Sequence, residues 1–584
     1  MSNAGFLSEF PAVSTEDWEC LIREDLKEVD YDKKLKWSPE EGLTLKPYYR
    51  SEDLAGLGPI QSKLGDFPHA CGARPAVAWR IREEIVAAEP EEANRQACAA
   101  VAAGAEEIAF REPIIKSSSD LALLLLHLDE IPVHFEGIDR PAIQLLVEWL
   151  RHRKREASTS TGFDPFTDLD LSADVIATRT ASFVPFQFHA EPFQEQGATA
   201  VEEIGFALAA AVDFFAEMQK RDVAIDRIAG SVRYAFAIGP DFFIQIAKLR
   251  AFRRVFAQSV ESFGGSRESA RTSIHARTPR WNRTAYDPHV NILRATTEAM
   301  SAVFGGADSI SIAPFDECFR RPDDLSRRLA RNTQIILKQE AYLAQVADPG
   351  SGSYCLEAIT DLIARDAWKL LQKIESDGGY QAVVANGTIA AQLNERARQR
   401  EHAIAHRKRI LTGTNRFADA SEKALDRITL VDAEGPHRAA HVFERLRLQT
   451  ERHLFQTGNK PRVLLAEIGD DRKACTARSQ FSADFLACAG FESHVARFNN
   501  PSDIASEHPD LIVLCSSDAE YLVIVSSLMQ ELKSCRRATP VLIAGLPETA
   551  DQLKAAGIAE FIHIRSNAVE VLAYVQRLVG IKES

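Results

Sequence analysis

The last part of the chain, residues 461–584, is the stretch that leaves the fold least freedom. Five short apolar runs, Val463–Glu467, His494–Phe498, Leu511–Cys515, Val541–Ala544 and Phe561–Ile564, are separated by helix-like segments, and a final helix is expected over Ala568–Val579. Strands this short and this apolar are buried on both faces, and the helical segments between them are long enough for parallel crossovers. The pattern therefore predicts a flavodoxin-like, doubly wound α/β domain, in which ligands bind beyond the carboxyl ends of the strands. That places any chemistry of this segment in the loops starting at Gly469, Cys515 and Gly545.

Upstream, residues 41–391 alternate candidate strands (Glu107–Phe110, Ile131–Phe135, Val184–His189, Tyr234–Ile238, Ser273–Arg277, Asp308–Ala313) with helical stretches such as Ala198–Gln219, Phe242–Ser262 and Ile292–Phe304. Repeated alternation over that length predicts a (β/α)8 barrel, although periodicity alone does not resolve every strand. Residues 392–460 are rich in Arg, Glu, His and Ala and read as a helical linker. Residues 1–40 hold a charged amphipathic stretch, Ser14–Leu35, opened by Ser14-Thr15-Glu16-Asp17 as a helix start. It cannot form a core of its own and reads as a helical arm for wrapping a partner.

Composition excludes several classes. No window approaches the ~18 unbroken apolar residues of a membrane helix, and Met1–Phe10 lacks the basic start of a secretory signal, so a cytoplasmic protein is expected. The net charge of −14 gives no general attraction to nucleic acid. The basic runs Arg151–Arg155 and His406–Arg409 read as solvated faces, with a nucleotide-bearing thioester as the other use for one of them. The nine cysteines show neither C-x-x-C nor zinc spacing and read as reduced thiols. Asp348-Pro349-Gly350-Ser351-Gly352 lacks the Lys-Ser/Thr ending of a phosphate loop and reads as a turn.

The three carboxyl-edge loops resemble those of the adenosylcobalamin-dependent acyl-CoA mutases, which carry D-x-H-x-x-G, S-x-L and a glycine pair after the first, third and fourth strands. Here the first loop reads Gly469-Asp470-Asp471-Arg472-Lys473-Ala474-Cys475-Thr476, the second Ser516-Ser517-Asp518 and the third Ala544-Gly545. Upstream, Arg233-Tyr234-Ala235-Phe236-Ala237-Ile238-Gly239, Arg294-Ala295-Thr296-Thr297-Glu298-Ala299-Met300, Arg331-Asn332-Thr333-Gln334 and Asp348-Pro349 with Gly352-Ser353-Tyr354 follow in the same order as in that family. The barrel region is similar to the methylmalonyl-CoA mutases along nearly its whole length. Gly305-Gly306-Ala307-Asp308-Ser309-Ile310 is more like their small subunit than their catalytic large one.

The resemblance also marks what is missing. In the family a His ligates cobalt beneath the corrin, with an Asp fixing its tautomer. Asp471 keeps the Asp place, but Lys473 stands at the His, and an ordinary lysine, with a pKa of about 10.4, has no lone pair to give a metal at neutral pH. Thr476 replaces the glycine that lets the cofactor's nucleotide tail approach, and Asp518 puts a charge where an apolar wall belongs. Ser516, Ala544 and Gly545 hold the remaining motif positions. In the barrel, Gln194-Glu195-Gln196-Gly197-Ala198 sets the register, so Pro192 falls where the family has the His that bonds the thioester carbonyl, and Glu191 where it has Tyr. Cys71, before Gly72-Ala73-Arg74-Pro75, takes the place of a second catalytic tyrosine. His189 lies close by, but continued strand alternation would turn it to the opposite face.

The resemblance therefore implies a non-catalytic small subunit that binds neither metal nor cofactor at these degenerate positions. Adenosylcobalamin and the acyl-CoA would belong to a large-subunit partner, and the complex would interconvert (R)-methylmalonyl-CoA and succinyl-CoA. Two alternatives stand beside it: an active mutase using unorthodox residues, and a non-enzymatic regulator. A signalling receiver is disfavoured, because the places of its Asp and Lys hold Cys515 and Arg565.

Overall fold

The computed structural model describes residues 13–57, 65–69, 78–153, 155–428, 438–534 and 538–582. Eight parallel strands close into a barrel: β1 Arg80–Ile85, β2 Glu107–Arg111, β3 Val133–Glu136, β4 Thr159–Phe163, β5 Phe183–His189, β6 Val232–Ala237, β7 Ile274–Arg277 and β8 Ser309–Ser311, with β8 pairing back onto β1. The six strands read from sequence are among them. β1 and β4 were not, and the barrel interior explains why.

Barrels of this kind are ordinarily filled by bulky branched residues. Here the apolar residues face the helices and the polar ones face in. On β6, Tyr234 and Phe236 point out and pack on Phe252 of the helix Phe242–Ser262, with ring centroids 4.6 and 4.7 Å apart. Burying Phe236 is worth about 1.5–3 kcal/mol. Arg233, on the inner face, donates to Ser160 Oγ of β4 at 2.9 Å and Ser309 Oγ of β8 at 3.2 Å. Glu107 of β2 accepts from Arg80 Nε at 2.8 Å and Arg82 Nε at 2.9 Å, with Arg233 Nη1 3.5 Å away. Burial alone would raise the Glu107 carboxyl, but Arg82, Arg233 and Arg80 overcome it and hold it well below the usual carboxylate range. An ionic layer thus crosses the bore. It is also why β1, with Arg82 and Glu84 facing in, and β4, with Ser160 and Gly162, do not look like strands of a buried sheet.

The second sheet comprises β9 Val463–Ile468, β10 Ser493–Phe498, β11 Leu511–Cys515, β12 Val541–Ala544 and β13 Glu560–Ile562, all parallel, in the order β10-β9-β11-β12-β13. Alternation divides its core. Leu465, Val513, Leu542 and Ile562 join Phe485 and Leu572 on one face, and Leu464, Ile512, Leu514 and Ile543 join Val525 and Leu528 on the other. The helix His441–Thr457 belongs to the first of these cores through Phe443 and Leu446. Arg447 of the same helix places its guanidinium 3.8 Å from the Tyr286 ring centroid, tying it to the barrel.

At the other end, Ser14 and Asp17 form a reciprocal cap on the helix Thr15–Leu26. The amphipathic stretch is two helices, broken at Lys27 (φ 56°) before Tyr31–Leu35. The first buries none of its residues and leaves Trp18 and Leu21 exposed. Among the described residues no helix is long and apolar enough to cross a membrane.

Candidate functional site

Strand ends Glu84, Arg111, Glu136, His189 and Arg277 converge at the carboxyl mouth of the barrel, where barrel active sites lie. They surround a cavity of about 650 Å3 that also touches Glu191, Pro192, Glu195 and Arg280. Expecting His189 on the opposite face from Pro192 was wrong. The chain leaves the strand at Ala190 (φ −93°, ψ −22°) and enters the helix Glu191–Glu195, so the period of two stops there. His189, Glu191 and Pro192 line one cavity.

A chain of hydrogen bonds runs from the ionic layer to this mouth. Ser160 Oγ, which accepts from Arg233, lies 2.9 Å from His134 Nδ1, and His134 Nε2 lies 3.0 Å from Glu136 Oε2. Burial first, and then the charge of Arg82, push His134 down to about 4, so it is neutral at pH 7. With a carboxylate at Nε2, the proton sits there and Nδ1 accepts from Ser160. The other Glu136 oxygen lies 3.3 Å from His189 Nε2, and His189 Nδ1 is 2.9 Å from Glu191 Oε1. Burial raises Glu136, but the His134 hydrogen bond and the His189 charge win and bring it to about 2. Its carboxylate lies over Gly162, where a Cβ would come within 2.6 Å of Oε1.

Burial opposes the charge on His189, yet Glu191 and Glu136 raise its pKa from 6.5 to about 9. A folded value above the unfolded one gives stability that is full below about pH 6.5 and is lost as pH rises through about 9. His189→Gln is therefore expected to flatten the decline of melting temperature across that window. An unchanged slope in the variant would remove the clamp as its cause.

Glu84 is shared by Arg111 at 2.8 Å and Arg277 at 2.9 Å, and Arg277 also meets Glu317 at 3.1 Å. Sequence reasoning singled out neither these residues nor His134 and Glu136. Two polar residues at positions i and i+2, closing an apolar run, were the available sign of a shared inner face. Cys71 lies outside the described residues.

The carboxyl edge of the second sheet is occupied by side chains of the chain itself. The first loop is short: Asp471 already caps the helix Arg472–Ala487, its Oδ1 accepting Ala474 N–H at 3.1 Å. Lys473 and Thr476 are exposed on that helix, so Lys473 is a solvated helical residue and not a loop residue. Ser516 is buried and bonds Glu520 at 3.0 Å, and Asp518 accepts from Arg478 at 2.7 Å. Ala544 is buried with its carbonyl accepting Tyr521 OH at 2.6 Å. Gly545 faces the Arg478 guanidinium, 3.2 Å from where a Cβ would stand. These residues do not fit a corrinoid. The nitrogen at the ligand position stands out in solvent, the Asp beside it is spent as a cap, and side chains of this chain fill the crevice. Among the described residues no cluster of His, Cys, Asp or Glu could hold a metal ion.

Fold and mouth together define a two-part α/β protein, a closed barrel with a polar bore followed by a parallel-sheet domain. The methylmalonyl-CoA mutase family model matches residues 163–457. A methylmalonyl-CoA mutase small subunit of Porphyromonas gingivalis is 33% identical over 98% of each chain, and one of Streptomyces virginiae is 29% identical over 98% of each. A methylmalonyl-CoA mutase of Rhizobium meliloti is 27% identical over 71% of this chain and 66% of its own. The chain belongs to the methylmalonyl-CoA mutase family.

Proposed function

We propose that this chain is the small subunit of a cytoplasmic methylmalonyl-CoA mutase heterodimer, and that it stabilises a large subunit without turning over substrate itself. Adenosylcobalamin and the acyl-CoA are then bound by the large subunit. The corrinoid supplies homolytic radical chemistry when bound, and that chemistry needs ligation, orientation and a dry pocket. What carries the reading is Lys473, an exposed residue in the first turn of a helix where the family resemblance requires a buried nitrogen ligand. The mouth supports it. Pro192, in the place of a carbonyl-bonding His, has no donor, and the cavity is walled by charges that attract water. The exposed Trp18 and Leu21 on the helix Thr15–Leu26 are suited to covering a partner.

Co-expression with the large subunit tests this. The expected result is a one-to-one complex with one corrinoid per heterodimer, an interface of more than about 2,000 Å2, and no corrinoid on this chain when it is purified alone. Stoichiometric corrinoid and turnover from the isolated chain would overturn the reading and favour an active mutase in its own right.

A further inference from the structure

The crevice at the carboxyl ends of β9 and β11 is the switch point of the second sheet, where doubly wound folds take their ligands. In this chain it is occupied by a side chain of the chain itself. Glu520, just before the helix Tyr521–Ser534, turns its carboxylate back over the loops. Oε1 accepts the Asp470 backbone N–H at 2.8 Å, and Oε2 accepts from Ser516 Oγ at 3.0 Å and from Ser517 Oγ at 2.5 Å. The cradle is backbone-deep: Gly469 has φ +121°, and a Cβ there would come within 2.5 Å of both Glu520 Oε2 and Ser516 Oγ. On the same loop the Ser516 carbonyl accepts from the Arg478 guanidinium, which also meets Asp518 at 2.7 Å and rests 5.3 Å from the centroid of the Tyr521 ring. One backbone N–H and two hydroxyls converging on a carboxylate, under a glycine with no room for a side chain, form a small nest for an anion, built mostly of side chains.

We infer that this crevice is a site for a small oxyanion, a carboxylate or a phosphate-like group, and that the Glu520 carboxylate is its built-in occupant. The site binds in cis, and so holds the loops after β9 and β11 together with no external ligand. The nest hydrogen bonds, Ser517 first and Asp470 next, hold Glu520 below the usual carboxylate value, as a carboxylate serving as the bound anion requires.

Removing the occupant should leave a vacancy of known chemistry. Glu520→Ala is expected to melt at a lower temperature than the natural chain. Formate, acetate or inorganic phosphate should then recover more than half of that loss, saturably, relative to chloride at equal ionic strength. The same salts should leave the natural chain unmoved. Rescue by formate and acetate alone identifies a carboxylate nest, and rescue by phosphate alone a phosphate nest; both support the site. If Glu520→Ala is insoluble, Glu520→Ser empties the site with a polar side chain too short to fill it, and hydrogen exchange at the Asp470 amide should quicken and then slow again with added formate. The inference is overturned if neither variant responds to any of the three anions beyond the chloride control. Corrinoid content plays no part in the readout, so this test can fail while the small-subunit reading stands.

Discussion

Glu107→Ala is expected to cost about 3–5 kcal/mol of unfolding free energy, the ordinary penalty for stranding buried charge. Glu107 is 2% exposed at its side chain, as is Arg82, and Arg233 is 5% exposed. Burial leaves Arg82 and Arg233 little solvent to replace the lost carboxylate, while Arg80 is 28% exposed. Three guanidinium groups from β1 and β6 would face one another across the bore, where low dielectric strengthens their repulsion. Urea unfolding followed by circular dichroism reads the effect as an earlier midpoint. Glu107→Gln, which can still accept hydrogen bonds, should lose distinctly less. The pH dependence has the opposite sign to that of His189. A carboxyl held below its unfolded value of 4.5 contributes fully above that value, and its contribution is lost as pH falls toward the folded value. An alanine variant within about 1 kcal/mol of the natural chain would mean that the layer is not what keeps the barrel closed.

The same layer marks where the sequence was legible. A strand announces itself by the residues it buries against helices, and β2, β3, β5, β6, β7 and β8 each present apolar residues to the outer ring, such as Phe110, Phe135 and Phe186. β1 reads Arg-Ile-Arg-Glu-Glu-Ile and β4 Thr-Ser-Thr-Gly-Phe because half of each faces a polar bore, and nothing local distinguishes them from exposed segments. Four strands of the second sheet were visible because both faces are largely buried, whereas β10, at the sheet edge with no fully buried residue, was legible as one more unit of the strand–helix repeat. The mouth was half legible. Register alone placed Glu191 and Pro192, while His189 was misread because the turn into a helix at Ala190 leaves no pattern of its own. Arg478 and Glu520 escaped notice altogether. They are ordinary charges on or beside helices, and comparison with a motif shows which groups are lost but not what has moved into their space.

Arg400→Ala should release the segment before the barrel. Arg400 sits in the helix Thr388–Ala405 and is 8% exposed at its side chain. It donates to Glu40 Oε2 at 2.8 Å, to the Gln194 carbonyl at 2.8 Å and to the Ala198 carbonyl at 2.9 Å, and lies 5.0 Å from the Trp281 ring centroid. Arg409, also bound to Glu40, stands 4.5 Å from the same ring. One guanidinium thus joins the N-terminal segment, the stretch that carries the mouth helix and the helical region after the barrel, contacts separated by about 200 to 360 residues in the chain. Truncation takes its side-chain donor from the buried Ala198 carbonyl, leaves the Gln194 carbonyl with the Gly197 N–H at 3.0 Å but not the guanidinium, and leaves Glu40 with one cation in place of two. The expected loss is roughly 3 kcal/mol or more. Calorimetry should show a lower melting temperature, and limited proteolysis should open new cleavage within residues 37–57. Arg400→Lys can keep the charge opposite Glu40 but has no planar fork to serve both carbonyls, so it should fall between the alanine variant and the natural chain. Equal protection of that segment in all three proteins would show that the buried apolar residues Leu43 and Leu45 anchor it unaided.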